Sequence, residues 1–222
     1  TEGLDGIRDR LAEYYSMGAR FAKWRALLTV GNGRPSDYAI YTNAHALGRY
    51  AILCQEQGLV PIVEPEILMD GAHNIDDCRL ATKRSLTVVF EELVTHSVDL
   101  RGIILKPNMV ISGSDASNRA PSTEVARQTI DCLLETVPAE VPGVAFLSGG
   151  QGDEESVVNL DEINKIANSE RLPWELTYSY GRGLQSAPLA TWLGKNENVL
   201  AGQVAFQRRG LDSSAAREGV FT

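Results

Sequence analysis

Gly102-Ile103-Ile104-Leu105-Lys106-Pro107-Asn108-Met109-Val110 reads as a buried-type strand that ends on a lysine. An ammonium in that position either snorkels back to solvent or has a chemical task. In an apolar setting the charged form is disfavoured, and the neutral amine can attack a carbonyl carbon to form a Schiff base. The segment alone favours the solvated reading, so the choice rests on what surrounds it.

Four more apolar, β-rich runs are visible: Trp24 to Val30, Leu59 to Glu64, Val144 to Leu147 and Glu175 to Tyr180. Helix patterns separate them. Ser36 precedes one that carries Ile40, Ala44, Leu47 and Ala51, with Gly58 as its stop. Asn74 caps a second with Leu86, Val89, Phe90 and Leu93, and Ser122 and Thr123 open a third with Val125, Ile130, Leu133 and Leu134, halted by Pro138. Strand followed by helix at this spacing predicts parallel βα units. The polar residues Glu64, Lys106, Ser148 and Tyr180 close their strands at the C-terminal end, the face at which a (β/α)8 TIM barrel gathers its active site. A doubly wound open sheet would carry a G-x-G-x-x-G turn after an early strand, and the chain has none.

A closed barrel needs eight strands in about 250 residues, and only five are found, preceded by an amphipathic segment from Ile7 to Met17. The expectation is one α/β domain over residues 1–222, comprising the C-terminal five βα units of a TIM barrel plus C-terminal helices. Three units, roughly 100 residues at about 30–40 each, are missing from the N-terminal side. The chain is then an incomplete barrel, or a piece that needs a complement.

Composition narrows the partners. With 43% hydrophobic and 23% charged residues among 222, the chain is globular, and no apolar stretch approaches the roughly 18 residues of a membrane-spanning helix. A net charge of -8 argues against nucleic acid, whose phosphates need clustered excess cations. A small phosphorylated ligand responds to local charge and remains compatible. Three dispersed cysteines, Cys54, Cys78 and Cys132, make no closed disulfide set and suit a reducing cytoplasm, and Thr1 to Gly6 shows no secretory signal. His45, His73 and His96 are scattered without metal-ligand spacing, so no zinc ligand set is visible and no cofactor is expected.

Charged residues cluster at the strand ends. Lys23 and Arg25 lie in Phe21-Ala22-Lys23-Trp24-Arg25, Glu64 and Glu66 in Val60-Pro61-Ile62-Val63-Glu64-Pro65-Glu66-Ile67-Leu68, and Arg182 in Ser179-Tyr180-Gly181-Arg182. Glu64 and Glu66, two residues apart, share one side of a strand, and two carboxylates near a lysine can divide acid and base roles. Ser148-Gly149-Gly150 and Gly181-Arg182 follow the last two strands, where barrels often bind phosphate through backbone N–H groups and nearby cations. Each motif alone reads as a surface ion pair or an ordinary turn.

Together with Leu105-Lys106-Pro107-Asn108-Met109-Val110 and Phe146-Leu147-Ser148-Gly149-Gly150-Gln151, these segments resemble class I fructose-1,6-bisphosphate aldolase from Gly3 to about Lys195. That family is a (β/α)8 barrel, usually a homotetramer, which reversibly cleaves fructose 1,6-bisphosphate to dihydroxyacetone phosphate and glyceraldehyde 3-phosphate in glycolysis and gluconeogenesis. The resemblance implies that Lys106 is the Schiff-base lysine. It makes Lys23 the second active-site lysine, Glu64 the general acid/base and Glu66 a supporting carboxylate. It places Ser148, Gly149, Gly181 and Arg182 on one substrate phosphate and Arg25 near the other. The family's catalytic aspartate on its first strand and a further site lysine on its third have no matching position, and the chain stops at Glu218 to Thr222 before the family's C-terminal tail. These departures leave an alternative from another class, a non-catalytic scaffold or binding protein derived from an aldolase.

Overall fold

A computed structural model describes residues 1–221. Five parallel strands stand side by side in sequence order: β1 (Phe21–Leu28), β2 (Val60–Ile67), β3 (Ile104–Leu105), β4 (Gly143–Phe146) and β5 (Glu175–Tyr178). Helix α1 (Ile7–Ser16) leads into β1, and α2 (Asp37–Glu56), α3 (Ile75–Thr95), α4 (Ser122–Thr136) and α5 (Asp153–Glu170) form the crossovers between successive strands. After β5 come α6 (Arg182–Trp192) and α7 (Val199–Glu218). Sequential parallel order with one crossover helix per step is the construction of a barrel wall. The fold is thus five consecutive βα units of a (β/α)8 barrel, with β1 and β5 each paired on one side only.

The pleat decides what each strand offers to either side. In β1, Trp24, Ala26 and Leu28 are buried, whereas Lys23, Arg25 and Leu27 alternate with them and face the barrel interior. In β2 the interior row is Ile62, Glu64 and Glu66, and the opposite row of Val63 and Ile67 is fully buried. Pro65 is tolerated inside β2 for a local reason. Lys106 N–H donates to the Val63 carbonyl and Leu68 N–H to Leu28, so the odd-numbered backbone groups of β2 face β3 and the even-numbered ones face β1. The missing N–H of Pro65 therefore falls on the side where the short β3 ladder, Ile62–Val63 against Ile104–Leu105, has already ended.

Helix starts follow the sequence closely. Ser36 Oγ accepts from Ala39 N–H at 3.2 Å, and Asn74 Oδ1 accepts from Asp77 N–H at 2.8 Å. Gly58, at φ +73°, takes the left-handed position after α2. Ser122 opens α4 as expected, behind Pro121, whereas Leu134, expected on the packed face, is half exposed. The strand ends also move: β1 begins at Phe21 and stops at Leu28, β2 continues to Ile67, and β3 shrinks to two residues because Leu100–Gly102 forms a 3-10 turn.

Candidate active site

Lys106 leaves the end of β3 toward the interior, with 9% of its surface exposed. Its backbone is fixed on both sides: its N–H donates to Val63 O at 2.8 Å, and the next carbonyl, Pro107 O, accepts from Leu147 N–H at 3.1 Å. Where the ladder stops, Asn108 takes over. Its Oδ1 accepts from Ile67 N–H at 3.0 Å, and its Nδ2 donates to Thr82 Oγ1 at 3.1 Å and to Met109 O at 3.0 Å. This buried amide joins β2, α3 and the Lys106 segment, holding the lysine without regular sheet.

The charged partners arrive from β2, which adjoins β3, and from β1 beyond it. Glu64 is 3% exposed and bridges both lysines, with Oε2 2.6 Å from Lys23 Nζ and Oε1 3.2 Å from Lys106 Nζ. Glu66 accepts two hydrogen bonds from Arg25, 2.5 Å from Nε and 2.9 Å from Nη2, a fork that fixes the guanidinium plane. That hydrogen bond, with the Glu66 charge behind it, keeps the Arg25 guanidinium even more firmly protonated than usual. Both pairs arise from strand register, which sets Arg25 beside Glu64 and Leu27 beside Glu66, so each basic side chain reaches one step diagonally across.

The loops after β4 and β5 complete the enclosure. Ser148, 5% exposed, accepts from Gly183 N–H at 3.2 Å through Oγ and so ties the first turn of α6 to the β4 loop. Gly150 has φ +75°, and a Cβ there would meet Met69 Cβ at 2.2 Å. Arg182 opens α6 behind Gly181 and has no ion-pair partner among the described residues. Amide groups of a helix's first turn beside a free guanidinium suit an anion.

All nine residues singled out from the sequence, Lys23, Arg25, Glu64, Glu66, Lys106, Ser148, Gly149, Gly181 and Arg182, line one cavity of about 320 Å³. Leu147, Ser179 and Gln185 line it too and were not foreseen. Ser179 sits within the quoted Ser-Tyr-Gly-Arg motif, so its position was available. Gln185 requires knowing that α6 begins at Arg182, which puts it one turn into the helix. Tyr180 departs from the expected strand-end pattern. Its hydroxyl donates to Ser156 O at 2.7 Å and burial raises its pKa, so it anchors β5 to α5 instead of facing the cavity. The cysteines lie elsewhere, with burial pushing the Cys54 and Cys78 thiols up to about 11 and Cys132 to about 12. The histidines correct the sequence reading: His45 and His96 are not scattered but meet around Glu92, away from this cavity.

This wall concentrates its buried charge at the carboxyl ends of the strands, the face at which (β/α)8 barrels gather their active sites. The family model for class-I fructose-bisphosphate aldolase matches residues 1–222. Cytosolic fructose-bisphosphate aldolase 4 of Arabidopsis thaliana is 52% identical over 221 residues, all of this chain and 56% of its own length. A cytoplasmic isozyme of Pisum sativum is 51% identical over all of this chain and 61% of its own length. Among solved structures, fructose-bisphosphate aldolase from Plasmodium falciparum, crystallised with TRAP and a small-molecule inhibitor, superposes with a TM-score of 0.95 at 45% identity, covering all of this chain and 63% of that one. The chain belongs to the class I fructose-bisphosphate aldolase family and spans somewhat under two thirds of the length of these relatives.

Proposed function

We propose that the complete protein carrying this chain is a metal-independent lyase that reversibly cleaves fructose 1,6-bisphosphate to dihydroxyacetone phosphate and glyceraldehyde 3-phosphate, through a Schiff base on Lys106. The observation that carries the reading is the Glu64 carboxylate held between two amines, 2.6 Å from Lys23 and 3.2 Å from Lys106. A neutral Lys106 adds to the C2 carbonyl. Glu64 lies close enough to take the proton from the attacking nitrogen and return it to the carbinolamine oxygen as water leaves. The resulting iminium accepts the electron pair of the C3–C4 bond. An enamine remains on the lysine and the aldehyde product departs. Protonation at C3 and hydrolysis release the ketone and restore the amine.

In this reading Lys23 keeps a positive charge beside the nucleophile, and Glu66 serves by fixing Arg25 at one end of the substrate. Ser148, Gly149, Gly181 and Arg182 hold a phosphate at the other, where Gly149 gives backbone access and Arg182 a two-pronged grip. The proton on the C4 hydroxyl is the task of the acidic strand-end residue that the family carries before the part spanned by this chain. The working unit is a homotetramer in the cytoplasm, serving glycolysis and gluconeogenesis. The cytosolic and cytoplasmic names of the relatives support that location, and no helix among the described residues is long and apolar enough to cross a membrane.

Borohydride reduction in the presence of dihydroxyacetone phosphate tests the assignment. One stable adduct per complete subunit is expected, mapped by mass spectrometry to Lys106 and lost in Lys106→Met. An adduct at another lysine, or none, sinks the reading.

A further inference from the structure

Helices α2 and α3 bring together three potential ligands that the aldol chemistry does not use. Glu92 and His96 are four residues apart at the C-terminal end of α3 and so project from one face of it. His45 comes across from α2, placing Nδ1 3.0 Å from Glu92 Oε2, while His96 Nδ1 lies 3.5 Å from the same oxygen. The two imidazoles are 5.0 Å apart and tilted edge-on at 62°. One ligand atom from each of the three residues lies within 4.8 Å of the others.

We infer that His45, Glu92 and His96 form a binding site for a divalent transition-metal ion of the Zn²⁺ type. The donor set decides the class of ion. Two imidazoles and one carboxylate suit Zn²⁺ and its neighbours, whereas Mg²⁺ and Ca²⁺ select oxygen ligands throughout. Bonds of about 2.0–2.2 Å set ligand atoms roughly 3.3–3.6 Å apart around a tetrahedral ion, and the two His–Glu distances of 3.0 and 3.5 Å already lie close to that spacing. Glu92 and His96 are largely covered, with side-chain exposures of 12% and 17%, while His45 is open at 44%. An ion can therefore enter from the His45 side, and water completes its coordination.

The surroundings restrain the ligands. Tyr41 stacks on His45 at 6.0 Å with 19° between the planes, and His96 Nδ1, which lies 2.8 Å from the Glu92 backbone carbonyl, would exchange that hydrogen bond for the ion. Gly48 allows the helices to meet here, because a Cβ at that position would stand 2.7 Å from His96 Nδ1 and 3.1 Å from Glu92 O. The site is structural and not part of lyase chemistry. His96 follows the end of α3, from which the chain runs to the N-terminal end of β3, whereas Lys106 leaves the C-terminal end of that strand. A bound ion would clamp α2 to α3 and add its binding free energy to folding. The inference is independent of the aldolase reading.

The test uses the complete, tag-free protein stripped with a chelator. Titration calorimetry with Zn²⁺ is expected to show one ion per subunit and a rise in thermal midpoint, and Co²⁺ is expected to give the visible bands of a four-coordinate site. His45→Asn, at a half-buried position, should fold and keep its lyase rate but bind Zn²⁺ at least tenfold more weakly and lose the thermal shift. Absence of saturable uptake overturns the inference, as does uptake that His45→Asn leaves unchanged.

Discussion

Gly150→Ala tests whether the Ser148-Gly149-Gly150 turn is dictated by geometry or merely tolerates glycine. Two costs add at this position. The backbone at φ +75° lies in the left-handed region, where an L side chain costs about 1–2 kcal/mol. The new methyl would also stand 2.2 Å from Met69 Cβ and 2.7 Å from Met69 Cγ. A methionine can swing its far end aside, but Cβ moves only with its backbone, and Met69 adjoins the end of β2 that carries Glu66. Overpacking of this kind costs about 1–3 kcal/mol, so the sum is about 2–5 kcal/mol. Denaturant unfolding of the complete protein at one fixed concentration measures it. Gly210→Ala is the matched control, since a Cβ there meets nothing within 4 Å inside α7, and it should stabilise by about 0.5–1 kcal/mol. Because strain at Gly150 displaces Ser148 and Gly149, the KM for the bisphosphate should rise as well. If Gly150→Ala unfolds within about 0.5 kcal/mol of wild type, the ordinary scatter of neutral surface changes, the reasoning about this turn is wrong.

Glu64→Gln removes the shared carboxylate while keeping its shape. Turnover should fall by about 10²–10⁴, the usual worth of positioned acid–base catalysis, in steady-state assay, and a loss under tenfold would count against Glu64 as proton carrier. Arg182→Ala should raise KM for fructose 1,6-bisphosphate far more than for a sugar lacking the phosphate it holds, and equal effects on both would place that phosphate elsewhere. His73 sets a pH dependence. Neither of its ring nitrogens has a hydrogen-bond partner among the described residues, and burial lowers its pKa below the ordinary 6.5. The unfolded chain therefore binds a proton that the fold resists, so stability is held above about pH 6.5 and lost as pH falls through it. His73→Phe should flatten that slope between pH 7 and 5 in unfolding titrations, and an unchanged slope would clear His73 of the effect.

The parts of this fold that were legible in the sequence are those governed by local chemistry. Ser36 and Asn74 announce α2 and α3 because a side-chain oxygen beside free N–H groups is a short-range signal. The strand-end charges were legible because buried-type runs do not normally end on Lys106 or Glu64. The pairing between them was not. That Arg25 takes Glu66 while Lys23 takes Glu64 follows from the β1–β2 register, which no single strand encodes. Asn108 was invisible for a related reason. Its hydrogen bonds reach β2, α3 and its own neighbour, and a polar residue after a proline reads locally as a turn.

The histidines show the same limit from the other side. Metal-ligand spacing in sequence detects sites whose ligands lie within a few residues of one another, and here only Glu92 and His96 do, while His45 comes from α2, two elements before α3. What unites them is the approach of α2 to α3 at Gly48, a glycine in mid-helix where propensity alone would disfavour it. An alanine at Gly48 would recover about 1 kcal/mol of helix propensity in an isolated helix, yet it would press a methyl against His96 and the Glu92 carbonyl. The position therefore separates local from tertiary control: Gly48→Ala should lower stability despite its better propensity. If it raised the unfolding midpoint, the close approach of these helices, and the convergence of the three ligands that depends on it, would be refuted together.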